Sequence, residues 1–494
     1  MGYHLPGSRG PLLRAWPGWV SPLTGEGHRD RMNHPLHDHE PERPGARRAR
    51  SRWWTVGLAG MTGLALTAAG VAAGPAAEAV GRSLATAGDR PSADDDRSPH
   101  DDDKHDDKDK NRGDKDKGKK EKKPKGVPVP CEADALIAAI TQANARGGAV
   151  LDLATKCTYI LTTNINGAGL PAITTPITLN GGKHTAITRA AAADQFRILA
   201  VNANGRLTLN HLTITGGHVD GTVGGGIFIN TGGAATINSS KIIRNVANNG
   251  NGGGIYNNGG TLDIRHSVIS HNAASGIGGG LFSVGTVSID KSQLDGNTAL
   301  TGGGITIIGG VEITHSKVVN HHAAEGGGIF LFGDTIGKIV DTRIERNTAT
   351  VTGGSAIFGT PLQLTMSRVT IANNTATGFG AVSLVGGSTL IEDSTIKDNT
   401  GANGGGIRNL GELTLLRTKV TGNQATESGG GVSNGATGVL TLFGTKVVKN
   451  VAVTDGGGIF NEAGGTVELN TATGTIVVKN RPDNCSGDVP GCVG

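Results

Sequence analysis

One short element recurs through the second half of the chain: three glycines followed by an aliphatic residue. Strict copies begin at Gly224, Gly252, Gly278, Gly302, Gly326, Gly404, Gly429 and Gly456. Two degenerate copies, Gly354-Ser355-Ala356-Ile357 and Phe379-Gly380-Ala381-Val382, fill the gap in this series. Successive copies lie about 26 residues apart, which is the length of one supersecondary unit that must stack on its neighbours to bury a core.

A second element, an aliphatic residue followed three positions later by Asn, has the same period. Its asparagines are Asn245, Asn272, Asn297, Asn347, Asn374, Asn399, Asn423, Asn450 and Asn480, with His321 in the one remaining slot. A third short strand, such as 261–264, lies between the two elements. Three strands per repeat, with glycine at each corner and no room for a helix, predict a parallel β-helix. An inward Asn in every coil can then hydrogen-bond to the coils above and below.

A less regular form of the pattern extends back through 173–179, 196–201 and 207–214. The span 158–480 therefore predicts an all-β solenoid of twelve or thirteen coils, a rod about 60 Å long at about 4.8 Å per coil. We place the β-helix at 157–482 and an N-terminal cap at 127–156. Within the cap, Leu136, Ile137 and Ile140 lie on one face of a helix over 134–146, and Gly147-Gly148 ends it. Such a cap covers the open strand edges at one end.

The four cysteines fall at the two ends of the predicted rod. Cys131 and Cys157 bracket the cap, and Cys485 and Cys492 bracket a C-terminal tail at 483–494. In an exported chain, pairing within each end is the natural one of the three possible connectivities. The spacing matches neither of the common zinc patterns, so we expect two structural disulfides, with no metal and no cofactor.

The first 126 residues differ in composition from the rest. Basic residues at 47–52 precede an uncharged stretch at 53–77, and Ala77-Glu78-Ala79 offers a small-x-small cleavage site. This pattern predicts a secretory signal peptide within an N-terminal extension at 1–79, with a membrane anchor as the alternative. An Asp/Lys-rich segment at 80–126 follows, and its charge predicts a disordered linker. The protein is therefore expected to be secreted and to meet a membrane only through an uncleaved N-terminal segment.

The net charge of residues 127–494, the part of the chain after the linker, limits the kinds of partner that this part can bind. Lys and Arg number 23 in residues 127–494, and so do Asp and Glu. A neutral body argues against a nucleic-acid partner, because phosphate binding requires a clustered basic surface.

One column of the repeat is rich in aromatic residues. The residues that follow the aliphatic position of each glycine element are Phe228, Tyr256, Phe282, Thr306, Phe330, Phe358, Ser383, Arg408, Ser433 and Phe460. If the aliphatic residue points inward, strand alternation places these rings outside. Exposed stacked rings can bind sugar faces or an apolar partner surface, so Phe228, Tyr256, Phe282, Phe330 and Phe358 are the candidate binding residues. The alternative is a structural row of rings that cover one another.

Other polar columns give weaker indications. Asp263 and Glu312 lie on the same predicted face but two coils apart, which makes them a poor catalytic pair. His266, His271, His315, His321 and His322 lie on several coils and are expected to be solvated turn residues. Asp341, Arg368, Asp393 and Arg417 alternate in charge on four successive coils, and we assign them to stability and register. No residue is assigned a catalytic role.

The repeat resembles those of bacterial secreted right-handed parallel β-helix proteins with a pectin-lyase-like fold. It is similar in particular to the repeats of the polymorphic outer membrane proteins, which carry Gly-Gly-Ala-Ile and Phe-x-x-Asn tetrapeptides. Here Ile, Val or Leu stands in place of that Phe. The resemblance covers 131–480 and implies a right-handed solenoid on a surface or secreted protein, with adhesion to a cell-surface glycan or protein. The same fold hosts polysaccharide lyases and hydrolases, which is the alternative function.

Overall fold

The computed structural model describes residues 126–493, which form a right-handed parallel β-solenoid of about 13 turns. The predicted fold is confirmed. The signal peptide or anchor predicted within 1–79 and all but the last residue of the linker predicted at 80–126 lie outside the described residues. Within 126–493, no helix has both the length and the apolar content needed to span a bilayer.

Each complete turn carries three parallel faces, which we call A, B and C in chain order. Face A begins with the aliphatic residue of the glycine element. Its strands are Leu199–Val201, Ile227–Ile229, Ile255–Asn257, Leu281–Ser283, Ile305–Ile307, the start of Ile329–Val340, the start of Ile357–Ser367, Val382–Leu384, Ile407–Asn409, Val432–Asn434, Ile459–Asn461 and Cys485–Ser486.

Faces B and C follow in each turn, and every strand pairs in parallel with its equivalents on the adjacent turns. Face B comprises Val127–Val129, Ala149–Leu153, the first halves of Pro176–Arg189 and Arg206–Thr215, Ala234–Asn238, Thr261–Arg265, Thr286–Asp290, Gly310–Thr314, the ends of Ile329–Val340 and Ile357–Ser367, Ser388–Glu392, Glu412–Leu416, Val439–Phe443 and Thr466–Asn470. Face C comprises Thr158–Leu161, the second halves of Pro176–Arg189 and Arg206–Thr215, Lys241–Ile243, Val268–Ser270, Gln293–Asp295, Lys317–Val319, Arg343–Glu345, Thr370–Ala372, Thr395–Lys397, Lys419–Thr421, Lys446–Val448 and Ile476–Val478.

The aliphatic residues of the glycine element form an inward column, as predicted. All ten, from Ile227 to Ile459, are fully buried and belong to one continuous core. The second and fourth residues of the face B strands, such as Leu262 and Ile264, and the middle residue of each face C strand, such as Ile269, complete that core. The alternation of inward and outward residues therefore follows the sequence pattern on all three faces.

The structure adds a fourth short strand that the sequence analysis did not predict. It follows the Asn column and occurs as His218–Asp220, Val246–Asn248, Ala273–Ala274, His322–Glu325, Thr348–Thr352, Thr375–Ala376, Thr400–Gly401, Gln424–Ala425 and Val451–Ala452. Its inward residue is almost always Ala, and Val219, Ala247, Ala274 and Ala299 pack together as a separate small cluster. The sequence signal is an Ala or Gly two positions after each ladder Asn except Asn480.

The glycine element makes one corner of the turn for two separate reasons. Gly252, the first glycine of its element, has φ +66, which favours glycine. Gly254, the third, has no room for a side chain, because an added Cβ would lie 2.5 Å from the Gly280 carbonyl oxygen of the next coil. Backbone conformation and close stacking between coils together require glycine in this element.

The expectation of glycine at every corner is wrong. The corner between faces B and C and the corner after face C are single residues with positive φ, and most of them are not glycine; examples are His266 at φ +50 and His271 at φ +54. Such a conformation costs a non-glycine residue about 1–2 kcal/mol. It is retained here because each of these residues precedes a side chain that hydrogen-bonds to the adjacent coil.

The side chains that follow the two corners form two hydrogen-bonded rows. The first of these rows is the asparagine column, which forms the predicted ladder. The Nδ2 atom of Asn272 donates to Oδ1 of Asn297 at 3.0 Å, and the backbone N–H of Asn272 donates to the same oxygen at 2.9 Å. The same pair of bonds joins Asn347 to Asn374, and the ladder continues from there to Asn480. Each inward amide is thereby satisfied without water.

The second row consists of hydroxyls, which the sequence analysis did not identify. Ser240, Ser267, Ser292 and Ser316 stack on successive coils, and the backbone N–H of each of the first three donates to the next hydroxyl at 3.1 Å. A Ser or Thr stands five positions before nearly every ladder Asn, so the constant spacing was a readable signal.

Both ends of the solenoid are covered. The helix Ala133–Ala145 packs Leu136, Ile140 and Ala143 onto the core, one residue from its predicted bounds. The tail extends face A, where Cys485–Ser486 pairs with Ile459–Phe460. The disulfides join Cys131 to Cys157 and Cys485 to Cys492, which confirms the predicted pairing.

His321 interrupts the asparagine ladder. Its Nδ1 accepts the backbone N–H of Asn297 at 3.0 Å, while its buried Nε2 makes no hydrogen bond with the described residues. The expectation that His321 is solvated is wrong, because it occupies an inward ladder position. Burial lowers the pKa of His321 to about 4.

We expect His321→Asn to make the protein less sensitive to acid. Because the folded-state pKa lies below the ordinary value near 6.5, the unfolded chain binds a proton first as the pH falls. The wild-type protein should therefore lose on the order of 3 kcal/mol of stability between pH 7 and pH 4 through this one group. Urea unfolding at both pH values should show a smaller loss for His321→Asn. His271→Asn, at an exposed corner, is the control, and equal losses in all three proteins would contradict the prediction.

Candidate functional site

The aromatic row lies on the outward side of face A. Register pairs place Phe228, Tyr256 and Phe282 on three successive coils, and Phe330 and Phe358 on two more. Ring centroids are 5.8 Å apart between Phe228 and Tyr256, and 5.0 Å apart between Tyr256 and Phe282. Thr306 separates this first stack from the second, in which Phe330 and Phe358 lie 5.1 Å apart.

The expectation that Phe282 and Phe330 are solvent-accessible is wrong for Phe282, which is only 6 % exposed. Phe330 is half-buried, as are Phe228, Tyr256 and Phe358. The cause is the glycine corner, which folds back onto the row: a Cβ on Gly278 would lie 2.7 Å from the Cβ of Phe282. The rings of the column are therefore only partly accessible to solvent.

Two residues outside the predicted column change the chemistry of the stacks. Phe332 follows Phe330 on the same side of the strand, is 48 % exposed, and lies 6.0 Å from the Phe330 ring centroid. At the N-terminal end, the Arg197 guanidinium lies 5.0 Å from the centroid of Phe228, and its Nη2 donates to the Thr222 hydroxyl at 3.1 Å. Burial lowers the pKa of Arg197 and raises that of Tyr256. The first stack thus ends in a cation and the second in an exposed ring.

Beyond Phe358 the row becomes polar and closed. Arg408 is 8 % exposed, and its Nη2 donates to Oε1 of Glu462 at 2.7 Å while its Nη1 donates to the Ser433 hydroxyl at 2.6 Å. Ser383 and Ser433 on either side are fully buried. In this part of face A the buried Arg408 is paired with a half-buried Glu462, and its guanidinium is not free to contact a ligand.

The alternating charges form two separate pairs. Arg368 makes two hydrogen bonds to the carboxylate of Asp341, at 2.7 and 2.8 Å, and Arg417 makes two to Asp393, both at 2.7 Å. The hydrogen bonds lower the pKa of both aspartates. Both pairs are at the surface, where ion pairs contribute little individually; their assignment to stability and register stays a prediction.

The carboxylates considered for catalysis each have a basic partner. Asp263 accepts from Nε of Arg265 at 3.0 Å, and Glu312 accepts from Nζ of Lys338 at 2.9 Å. Four of the five histidines are exposed; His321 is the exception. Within 126–493, no group of three or more potential ligands is arranged to hold a metal ion. The structure thus does not bring the predicted polar residues into one site.

A concave surface that the sequence analysis missed lies between faces A and B on the coils from 331 to 440. It encloses about 700 Å³ and is lined by residues including Gln363, Ser388 and Glu412. The signal was the unequal spacing between face A and face B residues from one repeat to the next.

Comparisons with known proteins find similarity in fold alone. No family model matches the chain, and no curated protein sequence matches it. Among solved structures, the A-module of the Azotobacter vinelandii mannuronan C-5 epimerase AlgE4 is 14 % identical, with 73 % of this chain and 95 % of that chain covered and a TM-score of 0.35. A double mutant of the tailspike protein of E. coli bacteriophage HK620, in complex with a pentasaccharide, is 10 % identical over 69 % of this chain and 75 % of that chain, with a TM-score of 0.26. These neighbours are pectin-lyase-like β-helix proteins.

Because the rings differ in burial, we expect their replacement by Ala to lower the free energy of unfolding by different amounts. Phe282→Ala should lower the free energy of unfolding by about 3 kcal/mol, because the ring is nearly enclosed. Phe332→Ala should cost less than about 1 kcal/mol, because half of that ring already faces water. Denaturant unfolding of both variants tests this, and equal costs would mean that the glycine corners do not cover the row.

Proposed function

We propose that this protein is an extracellular binding scaffold whose ring stacks contact a cell-surface glycan or protein without catalysing a reaction. The observation that carries the proposal is the second stack, in which Phe330 and Phe358 lie 5.1 Å apart and the exposed Phe332 lies 6.0 Å from Phe330. Aromatic contacts contribute about 1 kcal/mol each, so several in series give useful affinity without a deep pocket.

The first stack supports the same function with different chemistry. Phe228 and Tyr256 are half-buried, and Phe228, at the N-terminal end of the stack, lies beside the Arg197 guanidinium. Partly exposed rings and a partly desolvated cation together suit a partner that has both apolar and hydrogen-bonding groups. The two stacks, separated by one coil, would bind one extended partner at two places.

Export of the chain is part of this proposal. The basic run at 47–52 and the uncharged stretch at 53–77 support a signal peptide. Two disulfides, one at each end of the solenoid, are typical of an oxidising compartment. The two together support a secreted or surface location, for which adhesion is the corresponding role in this proposal.

The test is binding to isolated cell-wall fragments and to fixed cells, with the triple variant Tyr256→Ala, Phe330→Ala and Phe332→Ala. Binding should fall at least tenfold, because three ring contacts of about 1 kcal/mol are removed. It should also change little with salt, since residues 127–494 carry no net charge. Phe460→Ala is the matched control, because Phe460 occupies the same column and is also half-buried but lies outside both stacks.

Undiminished binding by the triple variant would show that the rings form a structural row and do not bind the partner. Release of unsaturated or reducing ends from a polysaccharide by the purified protein, lost on changing Asp263 or Glu312, would replace the proposal with the enzymatic alternative.

A further inference from the structure

The concave surface between faces A and B is created by unequal turns. Register aligns Leu331, Gly359, Leu384, Asn409 and Asn434 on face A. It also aligns Gly337, Leu364, Thr389, Leu413 and Leu440 on face B. The turns between these positions hold five residues (332–336), four (360–363), four (385–388), three (410–412) and five (435–439). The short central turns are recessed between two long ones, which leaves a groove that runs along the solenoid axis.

The floor of the groove is set by glycine. Gly386 and Gly387 have φ +70 and +73, and a Cβ on Gly387 would meet the Leu362 backbone. At these two positions the floor of the groove is therefore bare backbone, with no side chain to fill it. The groove encloses about 700 Å³ and crosses five coils, a length of about 19 Å.

One register column runs the length of the groove and supplies five of its lining residues: Ile336, Gln363, Ser388, Glu412 and Val439. Ile336 and Val439 lie at the two ends and are 66 % and 42 % exposed. An amide, a hydroxyl and a carboxylate lie between them, all three open to solvent. Leu390 and Leu410 add apolar surface beside them.

We propose that this groove binds an extended, uncharged glycan. Glu412 is the one ionisable side chain in the lining among residues 126–493, so an acidic polymer would meet a carboxylate and no compensating cation. Sugar hydroxyls both donate and accept hydrogen bonds, which matches the exposed amide, hydroxyl and carboxylate, and the apolar faces of sugar rings match the exposed aliphatic ends. Apolar lining with a few directing polar groups is the usual composition of a ligand site.

This inference rests on the proposed binding function, to which it adds a ligand class and a second site. The ring stacks consist of outward residues of face A and Phe332, none of which lines the groove, so each site can be changed by substitutions outside the other. The two proposals can therefore fail independently.

The experiment is affinity electrophoresis of the full, disulfide-bonded protein in native gels that contain a neutral galactomannan, a neutral β-glucan or, as the acidic arm, alginate. At least one neutral polymer should retard the wild-type protein, and alginate should not. Ser388→Trp, which fills the groove at its centre, should raise the apparent dissociation constant for that polymer at least tenfold. Thr286→Trp is the matched control, because Thr286 has the corresponding exposed position on a face B strand outside the groove.

Thr437→Trp, on the exposed rim of the groove, provides a second variant if Ser388→Trp alters the thermal melt. The triple ring variant should still be retarded as the wild-type protein is. Retardation by neither neutral polymer, equal retardation by alginate, or equal loss in Thr286→Trp would overturn the inference. Capture of extended peptides in place of glycans, with the same sensitivity to Ser388→Trp, would assign the groove to a protein partner and would also overturn it.

Discussion

The hydrogen-bonded stacking of inward polar side chains determines the rest of this structure. A ladder Asn that follows another Asn, such as Asn297, uses its Oδ1 to accept from both the backbone N–H and the Nδ2 of the Asn on the preceding coil, so a shift of one residue would leave buried amides unsatisfied. The hydroxyl row at Ser240 and its equivalents fixes the neighbouring corner in the same way. These two polar rows flank each face C strand and fix its register against the adjacent coils.

The glycine corner connects this register to the surface. It brings consecutive coils within backbone contact, as the space around Gly254 shows, and it also folds against the outward column of face A. The same turn therefore packs the core and covers Phe282. A ring row that would be exposed on an isolated strand becomes two half-buried stacks, and the exposed ring is Phe332, outside the predicted column.

Differences between coils, and not the repeat itself, provide the candidate binding surfaces. Thr306 divides the rings into two stacks, Arg408 closes the far part of face A with Glu462, and the short turn at 410–412 opens the groove. A regular solenoid presents the same side chains on each coil. Local departures from the repeat give this one distinct apolar, charged and concave regions.

The sequence by itself determined the solenoid, the inward aliphatic column, the asparagine ladder, the cap helix and both disulfides. These follow from period, alternation and chain ends, which are local properties that repeat. It missed the hydroxyl row and the alanine strand, although both have constant spacing from the ladder Asn. The burial of Phe282 and the shape of the groove around Ser388 were decided only by the tertiary structure. Each depends on how a turn or side chain of one coil lies against the next, and that contact has no fixed spacing in the sequence.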